Sequence, residues 1–172
     1  MAFGKNYSQI YDLIYKNKNY SQEAKIALKA VLKYKKKITN LIEIGCGSGN
    51  FTRILISKGY SVTAIDPSIQ MIKLAKKKIK SNKEKFLNCK STEIKTEKKF
   101  DLALSLFHVF SYHTTKNEIN LFFKNLSKIL KIGGLIIFDF WFKPAVMNLK
   151  PEKRKKIIEN KNYKIIRSVT PL

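Results

Sequence analysis

A glycine-rich segment between a short apolar run and a helical pattern constrains the fold of this chain more than any other feature. Residues 41–44 (LIEI) have the composition of a buried strand, and they lead directly into residues 45–49 (GCGSG). A helical pattern follows over residues 50–58 and ends at Gly59, which suits the left-handed position after a helix. Strand, glycine loop and helix in this order are typical of an open α/β sheet that binds a ligand at the carboxyl ends of its strands.

An acidic residue stands where the next strand of such a sheet ends. A second strand is predicted over residues 60–65 and is followed by Asp66, after which Ser68 can cap a helix over residues 69–80. Folds of this kind place a carboxylate at such a position, where it accepts both hydroxyls of an adenosine ribose. The glycine loop and Asp66 together therefore indicate an adenosine-containing ligand.

The rest of the chain continues the alternation of strands and helices. Further strands are predicted at 86–89, 100–107 and 135–139, and further helices at 21–36, with Ser21 as the cap, and at 115–131, opened by a capping box of Thr115 and Glu118. This alternation predicts an α/β fold, a Rossmann-like doubly wound and mostly parallel sheet with helices on both faces. The 172 residues suffice for one such domain with a sizeable core.

The net charge of +23 raises the hypothesis of a nucleic-acid partner, because a basic surface attracts phosphate. The composition disfavours it. Only Arg53, Arg154 and Arg167 are arginines among the 35 basic residues, whereas base readout favours the planar arginine fork. The lysine runs are more simply explained as solvated helix faces, although the charge alone keeps such a partner open.

Other classes of protein find little support. Cys46 and Cys89 show no CxxC spacing and no clustered histidines, so we expect neither a metal site nor a disulfide framework. The longest apolar run, residues 135–142, is interrupted by Asp139 and is too short to span a bilayer. The N-terminus lacks the apolar core of a signal peptide, so a cytoplasmic location without membrane contact is expected.

The spacing of the glycines separates this loop from other nucleotide-binding loops. A phosphate loop of the Walker type requires a lysine after its last glycine, and no lysine follows Gly49. The spacing is G-x-G-x-G rather than the G-x-G-x-x-G of dinucleotide sites. With Glu43 in front, the segment resembles the first motif, E-x-G-x-G-x-G, of class I S-adenosylmethionine-dependent methyltransferases. Phe100-Asp101 and the LKIGG segment at 130–134 resemble later landmarks of the family.

The resemblance implies S-adenosylmethionine as the cofactor, with the loop against its methionine part and Asp66 at its ribose. The family often carries an aspartate for the adenine amino group after the third strand, but this chain has CKSTE at 89–93, which leaves Ser91 and Glu93 as candidates. The residues expected to bind the cofactor are Glu43, Gly45, Cys46, Gly47, Gly49, Asp66, Ser91 and Phe107.

Acceptor chemistry is expected beyond the fourth strand, at residues 106–113, which contain both histidines of the chain. Residues 7–15 resemble the N-terminal lid of amino-sugar N-methyltransferases, in which the tyrosine matching Tyr15 comes near the reaction centre. Those enzymes often carry a histidine where this chain has Tyr112. The candidate catalytic residues are Tyr15, His108, Tyr112 and His113, with ordinary aromatic packing as the alternative.

Three segments are expected: an N-terminal lid and helix at 1–37, a cofactor-binding core at 38–142, and a partial substrate-covering segment at 143–172. Members of the resembled group continue with two further strands that this sequence does not show. Either the chain is truncated, or a partner such as a second copy in a homodimer covers the open edge of the sheet.

The sequence favours methyl transfer to an N or O atom of a small polar metabolite, with an amino sugar as the first guess. An RNA-directed methyltransferase is a second hypothesis, supported only by the charge. A third is a binding or scaffold protein that keeps the cofactor fold without catalysis.

Overall fold

The structure is a computed structural model that describes residues 5–35, 37–149, 152–159 and 164–170. The side chain of Tyr7, in the predicted lid, lies outside this description. The same holds for Lys36, where the helix predicted over residues 21–36 ends.

Five parallel strands form the central sheet, in the order β3-β2-β1-β4-β5. They are β1 (Asn40–Ile44), β2 (Ser61–Asp66), β3 (Glu84–Asn88), β4 (Phe100–Ser105) and β5 (Leu130–Phe138). Every neighbouring pair runs parallel, which confirms the predicted fold class. The winding reverses between β1 and β4, and open sheets of this type bind ligands at the carboxyl ends of such strands.

Helices cover both faces of the sheet. They are α1 (Lys5–Ile14), α2 (Tyr20–Leu32), α3 (Asn50–Ser57), α4 (Ile69–Lys78), α5 (Lys116–Ile129) and the short α6 (Lys143–Leu149), with single 3-10 turns at Ser91–Glu93 and Val109–Tyr112. One apolar cluster joins α2, α3 and α4 to one face, and a second joins α5 to the other. Alternation along β1 explains this division, because Leu41 packs in the first cluster and Ile42 in the second.

The helix starts follow the capping chemistry, with one difference from the prediction. Ser68 and Thr115 cap α4 and α5 as expected, and Thr115 forms the complete capping box with Glu118. The predicted cap at Ser21 is wrong, because the Asn19 side chain accepts a hydrogen bond from the Gln22 amide and starts α2 at Tyr20.

The C-terminal part differs most from the prediction. Strand β5 begins at Leu130, five residues before the predicted start, and runs through Gly133 and Gly134, with a shift of register against β4 at this point. After α6, β6 (Arg154–Glu159) and β7 (Lys164–Val169) form an antiparallel hairpin. The hairpin contacts α1, where the Lys156 ammonium donates to the carbonyl of Ile14 at 2.7 Å.

Asp101 ties three strands together at the end of the sheet opposite the glycine loop. Its Oδ2 accepts the amides of Thr39 and Asn40, each at 3.0 Å, and its Oδ1 lies 2.9 Å from the Lys131 ammonium. Burial raises the pKa of Asp101, but the two backbone hydrogen bonds and Lys131 outweigh it and hold the pKa well below its usual range. The landmark Phe100-Asp101 thus has a structural role.

Asp101→Ala should lower the free energy of unfolding by about 2 kcal/mol at neutral pH, because two partly buried backbone hydrogen bonds and the ion pair with Lys131 lose their acceptor. Since the folded pKa is depressed, this contribution is present above about pH 4 and is lost at lower pH. Urea denaturation at pH 7 and pH 3 should therefore show a smaller difference at pH 3. Exposed Glu97→Gln is the control, and an equal difference at both pH values would contradict the assignment.

Candidate functional site

A cavity of about 550 Å³ opens over the carboxyl ends of β1, β2 and β4. Its walls come from the glycine loop, from the turn after β3, from the segment after β4 and from α1. Of the eight predicted cofactor-binding residues, seven line it: Glu43, Gly45, Cys46, Gly47, Asp66, Ser91 and Phe107. Of the four predicted catalytic residues, Tyr112 and His113 line it, whereas Tyr15 and His108 do not.

The glycine loop is fixed to the end of β2 by its own backbone. The amides of Gly45 and Cys46 both donate to the carbonyl of Ile65, at 2.8 and 2.9 Å. Gly45 has φ +75°, and a Cβ there would lie 2.5 Å from a methyl carbon of Val109. Only glycine fits at this point, so the loop backbone itself forms the floor of the cavity.

Gly49, the predicted cofactor residue that does not line the cavity, has a packing role. Its φ is +81°, and a Cβ on it would lie 3.0 Å from the side chains of Ala75 and Ile79. The glycine therefore lets the start of α3 approach α4 closely.

Glu43 lies under the loop and is only 4% exposed. The Thr52 hydroxyl donates to its Oε2 at 2.5 Å. Burial raises the pKa of Glu43 to about 8; the bond from Thr52 opposes this change, and the nearby charge of Asp66 adds to it. Glu43 therefore keeps its proton at neutral pH while the cavity holds no positive charge.

Asp66 is buried at the end of β2 and links two loops. Its Oδ2 accepts the Gly47 amide at 2.9 Å, and its Oδ1 accepts the Ser68 amide at 2.8 Å. Burial raises the pKa of Asp66, against the effect of these two bonds. A carboxylate offers about four acceptor positions, so about two remain for ligand hydroxyls.

These residues fit the cofactor that the motif implies. In the described part of the chain, neither Glu43 nor Asp66 forms a salt bridge with a lysine or arginine. Two buried carboxyl groups without a basic partner suit a ligand that brings its own positive charge. S-adenosylmethionine carries a sulfonium and an ammonium group, and its ribose can supply hydroxyls to Asp66.

Helix α1 covers the glycine loop through Asp12. Its carboxylate accepts hydrogen bonds from the Ser48 hydroxyl at 2.6 Å and from the side-chain amide of Asn50 at 3.0 Å. It also forms an ion pair with the ammonium of Lys78. Burial raises the pKa of Asp12, but these partners outweigh it and lower the pKa. Asp12 belongs to the segment that resembles a lid, yet nothing in the sequence pairs it with residues more than 30 positions away.

Three tyrosines lie on this side of the site. Tyr11 lines the cavity above Gly47, and the Tyr15 ring lies behind it at 4.7 Å, where Arg167 donates to its hydroxyl at 3.5 Å. Tyr20 also lines the cavity; burial raises the pKa of its hydroxyl, and the nearby side chains of Asn50 and Tyr11 oppose this change. No sequence motif marks Tyr20, so it was not among the predicted site residues.

His113 lies beside the turn after β3. Its Nδ1 is 2.9 Å from the carbonyl of Phe110, and its Nε2 is 2.7 Å from the hydroxyl of Ser91. A carbonyl only accepts, so this network assigns the hydrogen to Nδ1, and in the neutral ring Nε2 accepts from Ser91. The lone pair of Nε2 is thus already engaged. Tyr112 is 61% exposed at the rim of the cavity.

His108 lies apart from the cavity, with its ring stacked on Trp141 at a centroid distance of 4.1 Å. Its Nδ1 is buried and has no hydrogen-bond partner among the described residues. His108 is therefore not near the cavity in which an acceptor of the methyl group would bind.

The described residues contain no group of three or more His, Cys, Asp or Glu side chains arranged to hold a metal ion. Within the same residues, every helix is too short or too polar to cross a membrane.

Residues 41–134, more than half of the chain, match the family described as "Methyltransferase domain". The Bacillus subtilis protein YqeM is 30% identical over 135 residues, which are 77% of this chain and 53% of that protein. A malonyl-[acyl-carrier protein] O-methyltransferase of Priestia megaterium is 36% identical over 104 residues, 58% of this chain and 35% of that enzyme. The chain thus spans about half of the first relative and about a third of the second.

The solved structure of the sugar N-methyltransferase KedS8 from Streptoalloteichus is similar in fold, with a TM-score of 0.82 at 19% identity. The likeness covers 92% of this chain and 64% of that one. At this identity it establishes the arrangement of strands and helices alone.

Glu43→Gln should stabilise the cofactor-free protein in alkaline solution. Because the folded pKa of Glu43 lies above its unfolded value, its stabilising contribution is complete below about pH 4 and is lost as the pH rises towards 8. The neutral amide avoids this loss, so thermal unfolding should show a gain of about 4 to 5 kcal/mol at pH 8.5 and almost none at pH 4. A gain that does not change with pH would contradict the protonation of Glu43 in the folded protein at neutral pH.

Gly45→Ala and Gly59→Ala form a matched pair, since both glycines have positive φ but only Gly45 faces a close neighbour. Gly59→Ala should cost about 1 kcal/mol for the backbone strain alone. Gly45→Ala should cost about 3 kcal/mol, because the new methyl group displaces Val109 as well. Urea denaturation measures both values, and equal losses would show that Val109 yields freely.

Proposed function

The chain belongs to the methyltransferase domain family, and we propose that it transfers the methyl group of S-adenosylmethionine to an N or O atom of a small polar acceptor. The observation that carries this proposal is the pair of buried carboxyl groups, Glu43 and Asp66, on either side of the bare glycine backbone. Neither group forms a salt bridge with a lysine or arginine among the described residues. A cofactor with a positive charge and ribose hydroxyls supplies a partner for each of them.

We assign parts of the cofactor to parts of the cavity as follows. Asp66 accepts the ribose hydroxyls through its remaining lone pairs, and Glu43 and the Gly45–Gly47 backbone hold the methionine part. Ser91 and His113, which are hydrogen-bonded to each other beside Cys89, face the adenine. In this arrangement we assign His113 to cofactor binding, because its Nε2 is hydrogen-bonded to Ser91.

The bound cofactor supplies an electrophilic methyl group on a positively charged sulfur. The chain supplies an enclosure from which water is partly excluded, with Phe107 and Tyr20 as apolar walls and Tyr11 above the loop. The exposed Tyr112 at the rim then contacts the acceptor, whose lone pair must reach the methyl group in line. Tyr15 and His108 act only through neighbouring rings in this arrangement.

An amino sugar is the first acceptor class to test, because the fold is similar to that of a sugar N-methyltransferase. A carboxyl acceptor is the second class, because a relative methylates an acyl carrier protein substrate at oxygen, according to its name. RNA methylation remains an alternative through the net charge of +23.

Asp66→Ala should weaken binding of S-adenosylmethionine and S-adenosylhomocysteine by about 30- to 100-fold, because the ribose loses a charged acceptor and the Gly47 amide loses its partner. Titration calorimetry of the full chain measures this change, and circular dichroism verifies that the variant is folded. Exposed Glu97→Gln serves as the control and should bind as the wild type does. Absence of cofactor binding in the folded wild type would overturn the proposed function.

Formation of S-adenosylhomocysteine should then be measured with amino sugars, with malonyl thioesters and with RNA. Turnover with one class identifies the acceptor. Tight cofactor binding without turnover on any class would favour the alternative of a binding or scaffold protein.

A further inference from the structure

The chain turns sharply where it leaves β4. Phe107 and His108 have φ +65° and +63°, and they are the two non-glycine residues with positive φ in the described part of the chain. Along a regular strand, neighbouring side chains point to opposite faces. Here Leu106 and Phe107 both pack against the same apolar cluster, so the turn reverses the direction of Phe107.

Two consecutive left-handed residues with large side chains are unfavourable and persist only when their surroundings enforce them. The enforcing group here is the carboxylate of Asp139. Its Oδ2 accepts the Phe107 amide at 3.0 Å, and its Oδ1 accepts the His108 amide at 2.6 Å. Successive amides in such a turn form a concave site for an anion, and Asp139 fills that site.

Asp139 is itself held in register with β4. It follows the last residue of β5, and its own amide donates to the carbonyl of Ser105 at 3.1 Å. The carboxylate is therefore anchored to the strand from which the turn departs.

The turn determines what the cavity presents to its ligand. The Phe107 ring lines the cavity and packs edge-on against Tyr20 and Phe51, at centroid distances of 5.5 and 5.4 Å. Val109, just beyond the turn, fills the space in front of Gly45. Asp139 is not among the residues that line the cavity.

We propose that Asp139 is a positioning residue, which holds the Phe107-His108 turn in the form that presents Phe107 and Val109 to the cofactor. This inference rests on the proposed function, because it assumes that S-adenosylmethionine occupies the cavity. It assigns to the end of β5 a role in cofactor affinity, although Asp139 does not touch the cofactor.

The test is Asp139→Asn, which keeps the size of the side chain but directs an NH₂ group at one of the two amides. Calorimetric titration with S-adenosylhomocysteine should show about tenfold weaker binding in the folded variant. Trp141 is the single tryptophan of the chain and stacks on His108, so its fluorescence should change as well. The charge-matched control Glu97→Gln should change neither signal.

A second variant separates positioning from general destabilisation. Glycine adopts the left-handed conformation readily, so His108→Gly reduces the dependence of the turn on Asp139. In that background, Asp139→Asn should weaken binding by threefold or less.

Wild-type affinity in Asp139→Asn, or a lowered thermal stability with unchanged affinity, would overturn the proposal. An equal loss of affinity in both backgrounds would also overturn it. If the wild type binds no S-adenosylhomocysteine, the proposed function fails. The fluorescence of Trp141 would then test the turn separately. A changed signal in Asp139→Asn would support the role of Asp139 in holding the turn, and an unchanged signal would refute it.

Discussion

The double hydrogen bond from the glycine loop to the carbonyl of Ile65 is the constraint on which the site depends. It closes the loop onto β2, where Gly45 packs against Val109 and Gly47 lies beneath Tyr11 at the wall of the cavity. Asp66 then extends the same connection through the Gly47 amide, so the loop after β1 and the end of β2 form one unit. Helix α1, the turn after β3 and the segment after β4 are arranged around that unit.

The electrostatics of the site follow from this geometry. Glu43 is buried beneath this loop, which raises its pKa, and Asp66 lies close enough to add its own negative charge. The protein is strongly basic as a whole, yet Lys90 is the one lysine among the residues that line the cavity, and the two carboxyl groups form no salt bridge in the described part of the chain. A cationic ligand would thus find in the cavity the opposite of the average surface charge.

The sequence predicted those features that local chemistry determines. The fold class, the caps at Ser68 and Thr115 and the position of the glycine loop all follow from periodicity and from residue type within a few positions. Contacts between distant segments could not be predicted in this way. The Asp12 bonds to Ser48 and Asn50, the ring of Tyr15 behind Tyr11, and the packing of Gly49 on α4 all arise from docking of elements. Asp139 did leave a signal, as a charge within an apolar run, but its partners lie about 30 residues earlier.

The hairpin of β6 and β7 has a consequence for access to the cavity. Helix α1 lies between the glycine loop, which it contacts through Asp12, and the hairpin, which it contacts at Ile14 and Tyr15. A cover that is held from two sides does not open as an independent flap. Any movement of α1 away from the glycine loop would break contacts made by residues about 140 positions later in the chain, so a hairpin that does not line the cavity adds to the free energy needed to uncover it.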